Sequence, residues 1–130
     1  MCARITFDNA LSHRMYAGGD LLIMPSEFEP CGLSQLIAMK YGSLPIVRET
    51  GGLKDTVQPY DEYKDKGFAF SFANYNAHDM AYTIRRAINI CREEKLKAKL
   101  MRRAMKKDYS WNKSAGLYME LYNSLKKERD

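Results

Sequence analysis

Short apolar runs alternate with stretches of helical spacing through the first part of the chain. Ile5-Thr6-Phe7, Leu21 to Met24 and Leu44-Pro45-Ile46-Val47 each predict a strand, and Phe68-Ala69-Phe70 predicts a fourth. Between them, Ala10 to Tyr16 and Leu33 to Tyr41 are spaced as helices, with Leu33, Leu36, Ile37 and Lys40 on neighbouring turns and Gly42 as a natural stop. Strand–helix–strand alternation with short connections predicts an α/β fold with a parallel sheet.

The rest of the chain reads as helical. Met80, Ile84, Ala87, Ile88 and Cys91 form an apolar stripe suited to packing on the sheet. A last helix is expected after Asp108-Tyr109-Ser110-Trp111-Asn112, with Leu117, Leu121 and Leu125 on one face and Tyr118 and Tyr122 beside them. Those aromatic residues leave two readings, helix packing or a ligand box. The segment Gln58 to Gly67, with Pro59 and many charges, is the most loop-like part.

At 130 residues, with 45% hydrophobic positions, the chain fits one domain with a real core, spanning 1–130. The net charge of +5 raises nucleic acid as a partner, but its distribution changes that picture. Between Arg92 and Lys107 eight basic residues face two acidic ones, so this segment alone exceeds the chain's whole excess. Leu96, Leu100 and Ala104 recur there every four residues, leaving either a solvated helix face or a patch for phosphate or glucan. No aromatic residues interleave with the charges as single-strand binding would want, so no nucleic-acid partner is expected. No apolar run reaches the length of a bilayer span, and none near the start resembles a signal peptide's core. A cytoplasmic protein without a membrane partner is the expectation. Cys2, Cys31 and Cys91 are odd in number and widely spaced, and His13 and His78 lack metal-ligand spacing, so reduced thiols and no structural metal are expected.

Two loops sit where a parallel sheet places its ligands, at the carboxyl ends of strands. The first runs Pro25-Ser26-Glu27-Phe28-Glu29-Pro30-Cys31-Gly32-Leu33 into a helix; the second runs Arg48-Glu49-Thr50-Gly51-Gly52-Leu53 into a helical turn. In the second, Thr50 offers a hydroxyl and Gly51-Gly52 lets the main chain come close, which suits a phosphate or merely a turn. In the first, Pro30 keeps Glu29 extended beside the Cys31 and Gly32 amides, which suits sugar hydroxyls or merely an acid at a helix start. Because the loops follow successive parallel strands, they should lie side by side, one for a sugar and one for its phosphate. A Gly-x-Gly-x-x-Gly fingerprint, a P-loop, an Asp-x-Asp pair and a histidine-served serine are all missing.

The ordered set His13-Arg14, Pro25-Ser26-x-Phe28-Glu29-Pro30-Cys31-Gly32-Leu33-Ser34-Gln35-Leu36, Tyr41-Gly42-x-Leu44-Pro45, Thr50-Gly51-Gly52-Leu53-x-Asp55-Thr56-Val57 and Ser110-Trp111 resembles bacterial glycogen synthases and plant starch synthases. The resemblance covers nearly the whole chain. It implies the second half of the C-terminal, nucleotide-sugar-binding domain of a two-domain GT-B glycosyltransferase, a partial Rossmann-like sheet of about three to four strands. It also implies transfer of glucose from ADP-glucose to the 4-hydroxyl at the non-reducing end of an α-1,4-glucan, with retention and without metal or other cofactor. By that resemblance Glu29 is catalytic, supporting the oxocarbenium-like transition state. The amides at Cys31, Gly32 and Leu33 hold sugar hydroxyls, while Thr50, Gly51 and Gly52 hold the phosphate. Phe7 stands where the family sets an aromatic ring against adenine, and Ile37 stands where related families carry a second glutamate.

The family's N-terminal domain, with the acceptor contacts, and the Arg and Lys that neutralise the diphosphate have no counterpart in these residues. The expectation is therefore that the chain alone does not turn over. A bare edge on the Leu21–Met24 strand is expected too, resolved either by Ile5–Phe7 moving in beside it or by self-association. Two other readings stay open: a non-catalytic module binding nucleotide or glucan, and a synthase-like enzyme using UDP-glucose.

Overall fold

The computed structural model describes residues 2–127. Six helices flank a parallel sheet: α1 (Asn9–Gly18), β1 (Leu21–Met24), α2 (Ser34–Tyr41), β2 (Leu44–Arg48), α3 (Gly51–Thr56), β3 (Phe70–Phe72), α4 (Ala77–Cys91), α5 (Glu94–Met105) and α6 (Trp111–Lys127). The strands lie in the order β1-β2-β3, all parallel, with Ile46 between Ile23 and Phe70. The expected α/β class and parallel sheet are what the chain forms.

β2 is central because Leu44 to Val47 are apolar on both faces, as a strand covered by helices on both sides must be. Leu44, Ile46, Val47, Leu53, Phe68, Phe70 and Leu100 are all but fully buried and form the core with Met39 and Ala104. α2 ends as its sequence demands: Gly42 takes φ 87°, its amide reaches Met39 O, and the Ser43 amide reaches Ala38 O. That is the Schellman arrangement, and only glycine enters it without strain. Asp8 caps α1 by accepting from the Leu11 amide, and Asn76 caps α4 by accepting from the Asp79 amide.

Four expectations are corrected. Ile5-Thr6-Phe7 is not a strand; both apolar side chains are fully exposed, and β1 has β2 as its one strand neighbour among the described residues. The run is cut short by Asp8, which opens α1, so it never reaches the β1 edge and the proposed rearrangement does not occur. The last strand is displaced from Phe68–Phe70 to Phe70–Phe72, because Gly67 turns at φ 81° and Phe-Ser-Phe supplies the alternation that an edge strand needs. Ile88 is 43% exposed and leaves the α4 stripe; Met80, Ile84, Ala87 and Cys91 pack on the core as expected, joined by the buried Thr83. The α6 face of Leu117, Leu121 and Leu125 stays at least half exposed, and the rings of Tyr118 and Tyr122 lie beside each other, 6.3 Å between centres.

The basic segment divides in two. Its inner cations are tethers: Lys97 pairs with Asp20 at 2.7 Å, Lys99 and Arg103 converge on Asp65, and Lys107 reaches Gln58 Oε1 while lying over the Phe68 ring. Arg92, Lys95, Arg102 and Lys106 remain solvated.

Candidate functional site

β1 and β2 end next to each other, and the two loops that leave them interlock. The Gly52 amide donates to the carbonyl oxygens of both Glu29, at 3.2 Å, and Pro30, at 3.1 Å. The approach is so close that a side chain has no room. A Cβ at Gly51 would strike the Glu29 carbonyl oxygen, and one at Gly52 would fall 2.6 Å from the Cys31 Cα. Gly51 also sits at φ 42°, and Gly32 at φ 70°, both in the left-handed region that favours glycine. The glycines that the motif displays are thus first of all the seam between the loops.

A residue with no assigned role in the sequence reading completes this seam. Gln35, on the first turn of α2, is completely buried. Its Nε2 donates to Cys31 O at 3.2 Å, Gly32 O at 3.0 Å and Thr56 Oγ1 at 3.1 Å. Thr56 in turn donates from its hydroxyl to Gly52 O at 2.6 Å. A single amide therefore ties the first loop to the helix that follows the second. The detectable signal was a lone amide one turn before Ala38 and Met39, on the inward side of a helix, where an unpaired polar group is costly.

What the seam leaves over faces outward. The amides of Cys31, Gly32, Leu33 and Gly51 and the Thr50 hydroxyl make no hydrogen bond among the described residues. Four amides and a hydroxyl from adjacent loops make a set of donors at helix starts, where negative charge is favoured. Glu29 is half-buried beside them, and Ser26 donates to its Oε2 at 3.4 Å. Cys31 and Leu33 are exposed. The Gly52 amide is consumed by the seam and does not face outward. Phe7 is fully exposed and makes no hydrogen bond to either loop, so the structure does not bring it into the group.

Below the second loop, Arg48 donates from Nη1 to Glu27 O and lies 5.3 Å from the centre of the Tyr75 ring. Tyr75 lines a cavity of about 300 Å³ with Pro25, Phe72, Asn76, Ala77 and Met80. That cavity shares the carboxyl edge of the sheet with the loops, but neither Glu29 nor Thr50 lines it. Cys2, Cys31 and Cys91 are free thiols. No helix among the described residues is long and apolar enough to cross a membrane.

The chain is similar to known proteins along most of its length. Residues 5–107 match the family model described as glycosyl transferases group 1. The chain is 56% identical to a glycogen synthase of Geobacillus thermodenitrificans, over 97% of this chain and 26% of that protein. It is 58% identical to a glycogen synthase of Bacillus cereus, over 93% of this chain and 25% of that one. Among solved structures it superposes with a TM-score of 0.81, at 44% identity, on the catalytic domain of starch synthase IV from Arabidopsis thaliana bound to ADP and acarbose, covering 92% of this chain and 25% of that one. The chain thus spans about a quarter of the length of the relatives it matches. With the model matched across most of its residues, the chain belongs to the glycosyl transferases group 1 family.

Proposed function

We propose that residues 1–130 are part of the nucleotide-sugar-binding domain of a glycogen or starch synthase, and that the two interlocked loops hold the donor, ADP-glucose. The whole enzyme then moves glucose to the non-reducing end of an α-1,4-glucan with retention. One observation carries this reading: the unbonded donors of Cys31, Gly32, Leu33, Gly51 and Thr50 stand on adjacent loops whose relative position the seam fixes. The starch synthase that shares this fold was solved bound to ADP and acarbose, which supports an ADP-bearing donor here.

In this reading the Cys31, Gly32 and Leu33 amides donate to glucose hydroxyls. Thr50 and the Gly51 amide donate to the distal phosphate, and their help grows as the diphosphate gathers charge on leaving. Glu29, half-buried beside the sugar, offers negative charge to the positive anomeric centre of the transition state. A cytoplasmic setting goes with a substrate of this kind.

Calorimetric titration of the chain with ADP tests the reading. ADP should bind more tightly than UDP, and Thr50→Val should weaken ADP about tenfold by removing a charge-assisted hydrogen bond. Equal binding by the Thr50→Val variant would refute the phosphate role. The chain by itself should show no turnover with ADP-glucose and glycogen, and measurable transfer would refute that. The open edge of β1, where Ile23 is 44% exposed, is proposed as a site of self-association. Sedimentation equilibrium giving a monomer at all concentrations would end that proposal.

A further inference from the structure

We propose that Gln35 is a positioning residue that sets the sugar loop and the phosphate loop in one register, so that a sugar nucleotide meets both loops at once. The proposal deepens the donor-site reading and rests on it. Gln35 never faces the ligand; it acts through the loops it joins.

The geometry is demanding. Gln35 is completely buried, and its Nε2 serves two backbone carbonyls of the sugar loop and the Thr56 hydroxyl beyond the phosphate loop. Both carbonyls belong to Cys31 and Gly32, residues whose outward amides are the proposed sugar contacts. Peptide planes are rigid, so holding a carbonyl inward also aims the neighbouring amides outward. Thr56 passes the restraint on, because its hydroxyl donates to Gly52 O while the Gly52 amide donates back to Glu29 O and Pro30 O. The path closes on itself: Gln35 to Thr56, Thr56 to Gly52, Gly52 to the sugar loop, and the sugar loop to Gln35.

The amide orientation follows from the network, since the reverse would set Oε1 against two carbonyl oxygens. Oε1 itself has no partner and is buried. An unpaired buried oxygen is a cost that an apolar side chain of the same volume would avoid. Packing alone would therefore favour methionine or leucine at this position. What the amide adds is the tie between the loops.

Three variants test this: Gln35→Met keeps the volume, Gln35→Glu keeps the shape, and Thr56→Val breaks the link from its far end. Each is followed by amide hydrogen exchange in the 130-residue chain and by ADP titration. In Gln35→Met and Thr56→Val the Gly52 amide should exchange at least about tenfold faster while Ile46 and Val47 in β2 keep their protection, and ADP should bind about tenfold more weakly. Gln35→Glu lacks the donor when ionised and regains one when protonated, so its Gly52 protection should move toward that of the unsubstituted chain as the pH is lowered. Uniform acceleration of all amides would reduce Gln35 to a stability role and overturn the proposal. Unchanged Gly52 exchange with ADP binding intact would overturn it as well. Failure of the unsubstituted chain to bind ADP would instead overturn the donor-site reading, and this proposal with it.

Discussion

Replacing Gly52 by alanine drives one methyl group into the seam between the loops. The new Cβ would lie 2.6 Å from the Cys31 Cα and 2.7 Å from its carbonyl carbon, where ordinary contact begins near 3.4 Å. These obstacles are backbone atoms, so no side-chain rotation relieves the clash and the loop before α2 must retreat by roughly an ångström. Gly52 has no positive φ, unlike Gly51 at 42°, so the effect is steric and not a matter of backbone strain. Overpacking of this kind costs about 1–3 kcal/mol. The retreat also stretches the Gly52 amide's contacts with Glu29 O and Pro30 O, which are already 3.2 and 3.1 Å, and adds about 1 kcal/mol.

A total of about 2–4 kcal/mol should lower the thermal midpoint by roughly 10 °C in a domain of this size. Circular dichroism melts measure it directly. Gly116→Ala is the control, since that glycine lies inside α6 with nothing within 4 Å of a built Cβ. There the change should raise helicity and leave the midpoint level or higher, because glycine disfavours helix by about 1 kcal/mol relative to alanine. A Gly52→Ala midpoint within about 2 °C of the unsubstituted chain would show that the loops are not clasped as described.

Other outcomes follow from single contacts. Hydrogen bonds from Lys99 and Arg103 hold the Asp65 carboxyl at about 2, below its ordinary 3.8. A carboxylate with a depressed pKa stabilises the fold above its ordinary value and loses that contribution as the pH falls through the lower one. Asp65→Asn should therefore flatten the melting curve against pH between about 4 and 2, while keeping the φ of 49° that asparagine tolerates; parallel curves would refute it. Tyr109 donates from its hydroxyl to Thr56 O, and burial raises its pKa. Tyr109→Phe should cost about 1 kcal/mol in urea unfolding, and a midpoint equal to the unsubstituted one would show the bond adds nothing. Lys40 donates to Met105 O and Lys107 O at the end of α5, so Lys40→Met should raise amide exchange there selectively, and unchanged exchange would refute the cap.

The central strand and the end of α2 were readable because each rests on local chemistry. Leu44 to Val47 is a continuous apolar run, and Gly42 stops a helix wherever it stands. Ile5-Thr6-Phe7 looks the same over three residues, but a strand needs a partner and the sequence does not say whether one is in reach. The α6 stripe misled for a related reason: periodicity reveals an apolar face and says nothing of what covers it. In the site, the glycine pair correctly announced a close backbone approach. Whether the approaching group was a ligand or the other loop could be decided only in three dimensions, and for Gly52 it is the loop. Gln35 was visible as a letter in the motif, but its role depends on Thr56, which lies twenty-one residues away.

The seam also sorts the polar atoms of the two loops by use. Gly52 N–H holds the carbonyl oxygens of Glu29 and Pro30, Gln35 Nε2 holds those of Cys31 and Gly32, and the Thr56 hydroxyl holds that of Gly52. With those acceptors engaged in the seam, the unbonded groups next to it are donors, the amides of Cys31, Gly32, Leu33 and Gly51 and the Thr50 hydroxyl, with the Glu29 carboxylate beside them. A group of donors favours a ligand dense in acceptor oxygens, and the Glu29 carboxylate beside it favours one that also carries positive charge somewhere along its path. A sugar joined to a diphosphate meets the first condition in its ground state and the second only as the glycosidic carbon becomes cationic. If the loops hold the donor as proposed, the same folding contacts that close the seam would leave a site whose fit improves along that reaction.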